Sequence, residues 1–152
     1  MLINEELMYI DKEFSNVENL FNEMANDFFN KGYVLESYKK ALFDREAIFP
    51  TGLKVENCGL AIPHTDSEHI KKSGIAVIRL KDPVEFKEMC TNKPVQVKLI
   101  FFLLVKDKEK QVVLLSNLMG LFSNKEVIKS LLESDSEKEF YQILVKEVGG
   151  KQ

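Results

Sequence analysis

Histidine occurs only at positions 64 and 69, cysteine only at 58 and 90, arginine only at 45 and 79, and tryptophan is absent, so the chemistry-bearing side chains can be weighed one by one. His64 lies in Gly59-Leu60-Ala61-Ile62-Pro63-His64-Thr65-Asp66, where a short apolar run meets polar residues. Pro63 cannot donate to a strand ladder, so the run should end there and present His64 at the carboxyl end of a strand, where open sheets form their crevices. An imidazole near its ordinary pKa of about 6.5 is largely neutral at pH 7, which leaves one ring nitrogen with a free lone pair. Two readings are open: a half-exposed loop histidine without a role, and a nucleophile able to attack phosphorus. Phosphoryl transfer asks mainly for positioning and charge stabilisation, so one cation and a few oriented donors beside such a histidine would suffice.

The other candidates are weaker. His69 follows His64 by five residues, about 500° on a helix, so the two rings need not meet, and a solvent-exposed His69 is expected. A zinc site on this pair would need Asp66 or Glu68 as well, in no recognised spacing, and no metal is expected. Cys58 and Cys90 form neither a CxxC motif nor a disulfide framework, and both read as reduced packing residues.

The elements that must position His64 follow from periodicity. Val17, Leu20, Phe21, Met24 and Phe28 mark a helix over 16–31, capped by Ser15 or Asn16 and stopped by Gly32. A second helix over 35–47 should bury Tyr38, Ala41, Leu42 and Ile48 before Pro50-Thr51-Gly52 breaks it. Strands are expected at 59–62, 75–80 and 84–86, with one polar helical turn at 66–71 and chain turns at Asp82-Pro83 and 92–94. Residues 95–105 begin by alternating and become wholly apolar, the pattern of a central strand covered on both faces. Beyond Asp107, Val112, Leu115, Leu118, Met119 and Phe122 mark a helix, and shorter helical patterns occupy 125–132 and 136–148, the last capped by Asp135 or Ser136. Phe28-Phe29, Phe101-Phe102, Met24, Met119 and Phe122 read as core, although any that protruded near the crevice would mark a docking surface. The fold class is therefore α/β (α+β): one domain over 1–148, a mixed sheet flanked by helices on both faces, and a frayed tail at 149–152.

Composition excludes several functions. The 152 residues carry 21 basic and 24 acidic side chains, a formal charge of −3, with Lys and Glu interspersed throughout, which disfavours nucleic acid as a partner. The longest apolar run, Leu99 to Val105, is seven residues, against about 20 for a membrane span. The N-terminal residues have no basic region or small-residue cleavage site, so a cytoplasmic location is expected. No Walker-type glycine loop is present to bind a nucleotide.

The stretch 44–66, with Arg45-Glu46, Thr51-Gly52 and Gly59-Leu60-Ala61-Ile62-Pro63-His64, resembles the active-site region of enzyme IIA of the bacterial phosphoenolpyruvate-dependent sugar phosphotransferase system, of the fructose and mannitol type. The resemblance extends from the first helix to about residue 148. It implies that His64 is phosphorylated, at Nε2, by the phosphocarrier HPr and passes the group to a cysteine of enzyme IIB, without metal or cofactor. It implies that Arg45 lies near the phosphoryl oxygens, where its planar fork suits the task; the competing reading is a surface arginine paired with Asp44 or Glu46. Thr51 matches a family Ser/Thr and is open to two readings, hydrogen-bond donor or turn cap. Where family members carry a second histidine, this chain has Gln111, which can donate but cannot titrate. That replacement, with Pro50-Thr51-Gly52-Leu53 and Val84-Glu85-Phe86-Lys87-Glu88-Met89, is most similar to the galactitol-type branch. The resemblance further implies a monomer or weak oligomer that meets a membrane permease only through IIB and IIC. A different class of function, a regulatory phosphohistidine switch like the nitrogen-related branch, shares the same fold expectation.

Overall fold

The computed structural model describes residues 2–148. Five strands form one sheet: β1 (Ile3–Lys12), β2 (Gly52–Lys54), β3 (Gly59–Ala61), β4 (Gly74–Lys87) and β5 (Pro94–Leu104), in the order β1-β4-β5-β3-β2. β5 is the middle strand, as its continuous apolar run requires, pairing antiparallel with β4 and parallel with β3. Its neighbouring phenylalanines point to opposite faces. Phe102 meets Phe21 and Phe28 of helix α1 (Val17–Asn30) edge-on at 5.9 and 5.2 Å, while Phe101 lies 5.0 Å from Phe122 of helix α3 (Lys108–Phe122). Helices α2 (Tyr38–Ile48), α4 (Lys125–Glu133) and α5 (Glu137–Glu147) complete the two covering layers. The sheet is mixed and covered on both faces.

Local chemistry sets the element ends. Asn16 accepts from the Asn19 N–H at 2.8 Å to cap α1, and Gly32, at φ +82°, ends its C-terminal turn. Asp107 caps α3 by accepting from the Glu109 and Lys110 N–H groups, and Ser136 caps α5.

Several expectations need correction. β1 has no counterpart in the sequence reading, because its register slips: Ile3 faces Ile75 but Met8 faces Val77, so the irregularity hides the alternation that marks a strand. The Asp82-Pro83 turn is instead an interior irregularity of one long strand, β4, where Arg79 pairs with Leu99 and Val84 with Val97. Residues 81–83 are exposed there, a place where proline is tolerated. β2 was also unanticipated, at three residues too short for any periodicity. In α2, Ile48 is 68% exposed. The buried face of α3 is Leu114, Leu118, Leu121 and Phe122: Leu118 and Phe122 are buried as expected, whereas Val112 and Met119 protrude, because apolar residues are spread around much of the helix and periodicity alone does not single out one face. Phe29 is likewise exposed. The tail at 149–152 lies outside the described residues.

Arg79, on β4, is buried. Its guanidinium donates to the Leu131 carbonyl at 3.0 Å and the Ser134 carbonyl at 2.7 Å, and reaches Asp11 at 3.2 Å, so one cation joins the end of β1 to the C-terminal end of α4.

Candidate active site

β3 ends at Ala61, and the chain runs on through Ile62 and Pro63 beside β5: the Leu103 N–H donates to the Pro63 carbonyl at 3.2 Å, and His64 makes an isolated parallel bridge to Leu103. His64 is thereby held against the central strand. Its Nδ1 lies 2.7 Å from the Ile62 carbonyl oxygen, which can only accept, so Nδ1 carries the hydrogen and the neutral ring keeps its lone pair on Nε2. Burial lowers the His64 pKa from its ordinary value; the Ile62 carbonyl opposes this, nearby Arg45 adds to it and Asp66 opposes it. A neutral imidazole is the favoured form at pH 7.

His64 opens onto a crevice of about 530 Å³ that also contains Arg45 and Thr51. Arg45 stands in the last turn of α2, whose C-terminus favours a cation. Its partner is neither Asp44, which pairs with Lys40 at 2.7 Å, nor Glu46, but Asp66, two residues after His64, at 3.7 Å. The guanidinium lies over the Phe49 ring at 5.3 Å, and its Nε is buried without a hydrogen-bond partner among the described residues. This loosely engaged fork has donors to offer an anion at the crevice.

Thr51 is buried, and its N–H and hydroxyl both lie 2.8 Å from the two oxygens of the Glu46 carboxyl group. Gly52 must follow it: a Cβ there would stand 2.5 Å from the Lys87 carbonyl oxygen, and the Met89 N–H donates to the Gly52 carbonyl at 2.9 Å. That close approach brings the turn after β4 to the crevice mouth, with Cys90 at φ 71°.

Gln111, in the first turn of α3, donates from Nε2 to the Thr65 carbonyl at 3.0 Å, tying α3 to the segment that follows His64. His69 is half-buried rather than exposed, because its Nδ1 lies 2.8 Å from the Ser37 hydroxyl just before α2. It is not among the crevice residues. Cys58 is half-buried beside the core, and burial pushes its thiol up to about 11. Cys90 is exposed at the crevice, contrary to the packing role expected of it. No group of three or more His, Cys, Asp or Glu among the described residues converges as a metal set. Around the mouth stand Ile48, Phe49 and Met119, at 68%, 60% and 39% exposure. Sequence reasoning assigned no role to Glu46; its place beside Arg45 and five residues before Thr51 was the signal available.

Residues 1–147 match the family described as phosphoenolpyruvate-dependent sugar phosphotransferase system, EIIA 2. The chain belongs to that family. This EIIA chain is 28% identical over 132 residues to the galactitol-specific EIIA component of Escherichia coli strain K12, covering 87% of this chain and 85% of that relative. Among solved structures, the nitrogen regulatory protein IIA-Ntr from Neisseria meningitidis is 30% identical, with a TM-score of 0.74 over 94% of this chain and 96% of that one. The mannitol enzyme IIA of Escherichia coli, in its complex with phosphorylated mannitol enzyme IIB, is 21% identical, with a TM-score of 0.75 over 94% of this chain and 96% of that one. The EIIA fold is thus shared at low identity. Its members are components of a phosphotransferase, and in this one no helix among the described residues is long and apolar enough to cross a membrane.

Proposed function

We propose that this EIIA chain is a cytoplasmic phosphoryl carrier that accepts the phosphoryl group of phospho-HPr on His64 and delivers it to a cysteine of a galactitol-type or related polyol enzyme IIB. The observation that carries the reading is the Nδ1–Ile62 hydrogen bond, which leaves the free lone pair on Nε2 of a ring that lines the same crevice as Arg45. Nε2 attacks phosphorus, the P–N bond to the donor histidine breaks, and a P–N bond to His64 forms. In the second transfer the thiolate of IIB attacks, the P–N bond to His64 breaks as a P–S bond forms, and the electron pair returns to Nε2, so that His64 is neutral again with its hydrogen on Nδ1. Arg45 releases Asp66 and turns toward the phosphoryl oxygens, whose charge it offsets. Few cations surround the site, which suits a carrier, since a deeply stabilised phosphohistidine would not pass its group on. The proposal uses no metal or nucleotide.

The exposed ring of Ile48, Phe49 and Met119 offers both partners a small apolar landing surface, as successive transient contacts require. The galactitol-specific relative supports the choice of substrate branch, and the mannitol IIA–IIB complex supports the choice of acceptor. A second reading, a regulatory switch, draws on the 30% identity to a nitrogen regulatory IIA.

Intact mass after incubation with phosphoenolpyruvate, enzyme I and HPr tests the proposal. A gain of about 80 Da, one phosphoryl group on a histidine nucleophile, is expected in the wild type, absent from His64→Ala and discharged by a galactitol-type IIB. A stable gain that no IIB discharges favours the switch. The absence of any gain with active HPr removes His64 from the chemistry.

A further inference from the structure

Glu46 bonds to a crevice residue, Thr51, and itself lines a separate cleft. Its two carboxyl oxygens meet the Thr51 N–H and the Thr51 hydroxyl at the same distance, 2.8 Å. The N–H contact has one polarity, because a backbone amide only donates. The hydroxyl contact has two: an ionised Glu46 accepts the Thr51 proton, and a neutral Glu46 can donate its own proton to the Thr51 oxygen. Thr51 lines the crevice: in the first state its hydroxyl has only lone pairs left to offer a neighbour, and in the second its hydrogen is free to be donated. Phosphoryl oxygens accept hydrogen bonds and repel lone pairs, so the two states differ in how well they hold a phosphoryl group on His64.

We propose that Glu46 is a positioning residue for the phosphoryl group, acting through Thr51: a proton on Glu46 converts the Thr51 hydroxyl from an acceptor into a donor, so that phosphorylation of His64 is linked to proton uptake at Glu46. The inference rests on the carrier reading. It is supported by the Glu46 environment, where burial raises its pKa to about 7, opposed by the two Thr51 hydrogen bonds and by Arg45. The cleft on its far side is lined by Glu18 of α1 and by Glu85 and Lys87 of β4, and Arg45 is the charged neighbour on its own helix. The sign follows: below about pH 7 Glu46 is neutral, Thr51 donates and the phosphorylated form is favoured, and this advantage fades as the pH rises.

The test is the equilibrium between this chain and HPr, read as the fraction of each phosphorylated by intact mass from pH 6 to 8. Comparing variants against wild type with the same HPr cancels the pH dependence of the donor. Glu46→Gln keeps an acceptor for the Thr51 N–H and places an amide donor against the hydroxyl, so it should behave as permanently protonated. It should match wild type at pH 6 and exceed it by roughly fivefold at pH 8, the change expected when phosphorylation raises a pKa of about 7 by about one unit. Thr51→Val should hold the phosphoryl group less well than wild type at pH 6, and Glu46→Gln should add nothing in that background. Glu85→Gln should keep the wild-type profile. Retention of the pH-dependent gain by Glu46→Gln in the Thr51→Val background, or a constant ratio of Glu46→Gln to wild type across this range, would overturn the inference while leaving the carrier reading standing. A wild-type chain that HPr cannot phosphorylate at any pH overturns both.

Discussion

Helix α3 divides two cavities of nearly equal size. On one side Leu115 and Met119 face the crevice of about 530 Å³ that holds His64; on the other Leu114, Leu118 and Leu121 face a cavity of about 480 Å³ shared with Leu2, Val105 and Val148. Volume does not separate them. The difference lies in the lining: the first gathers an imidazole with a fixed tautomer, a guanidinium whose buried Nε has no partner among the described residues, and a hydroxyl, whereas the second is lined chiefly by aliphatic side chains, with Glu109, Lys110 and Glu147 among its residues. A functional cavity is marked by polar groups aimed at one point, and an apolar one of the same size reads as the margin of a hydrophobic core.

Substitutions on the two sides of α3 should therefore separate stability from transfer. Leu118→Ala removes a side chain that is 1% exposed and should cost about 2–5 kcal/mol of stability by denaturant unfolding. Phosphoryl uptake below the unfolding transition should stay at the wild-type rate; a matching loss of transfer would erase the distinction between the cavities. Arg45→Ala, on the opposite side, should slow transfer by about 10²-fold, the loss typical of removing one preorganised donor. Its stability should change little, since the ion pair with the exposed Asp66 is long and the buried Nε gives up no hydrogen bond to the described residues. Rapid-quench measurement of phosphohistidine formation decides it. Gln111→Ala gives the smallest effect, about 1 kcal/mol from one lost hydrogen bond to the Thr65 carbonyl. Faster hydrogen exchange confined to the segment after His64 would place that effect, while exchange unchanged there would show that Gln111 does not hold it.

The fold class was legible in the sequence, and so were several of the residues that line the crevice. His64 stood out because Pro63 stops its strand and Arg45 because the chain has only two arginines, whereas Thr51 and the roles of all three came from the family resemblance; the three line one crevice. What each is bonded to was not legible. Asp66 rather than Asp44 or Glu46 engages Arg45, and Ser37 holds His69, because such partners are chosen by tertiary packing across 21 and 32 residues of sequence. The central strand and the helices on both faces were plain from apolar patterning. β1 was not, since five residues there span the length of two on β4, and a strand that breaks its alternation has no period to read. In α3 the pattern was too apolar to tell the face that packs on the sheet from the faces that line two cavities.

The buried Arg79 bears on how the chain is completed during synthesis. Its guanidinium is satisfied only when Asp11, near the beginning, and the carbonyls of Leu131 and Ser134, near the end, have both been brought to it. A cation enclosed in a core before its acceptors arrive carries a large desolvation penalty. While the ribosome has yet to release Ser134, closing helices over β4 would leave that charge short of its acceptors, so early closure is disfavoured. Packing around Arg79 therefore couples the end of β1 to the end of α4, a long-range requirement of the kind that slows folding.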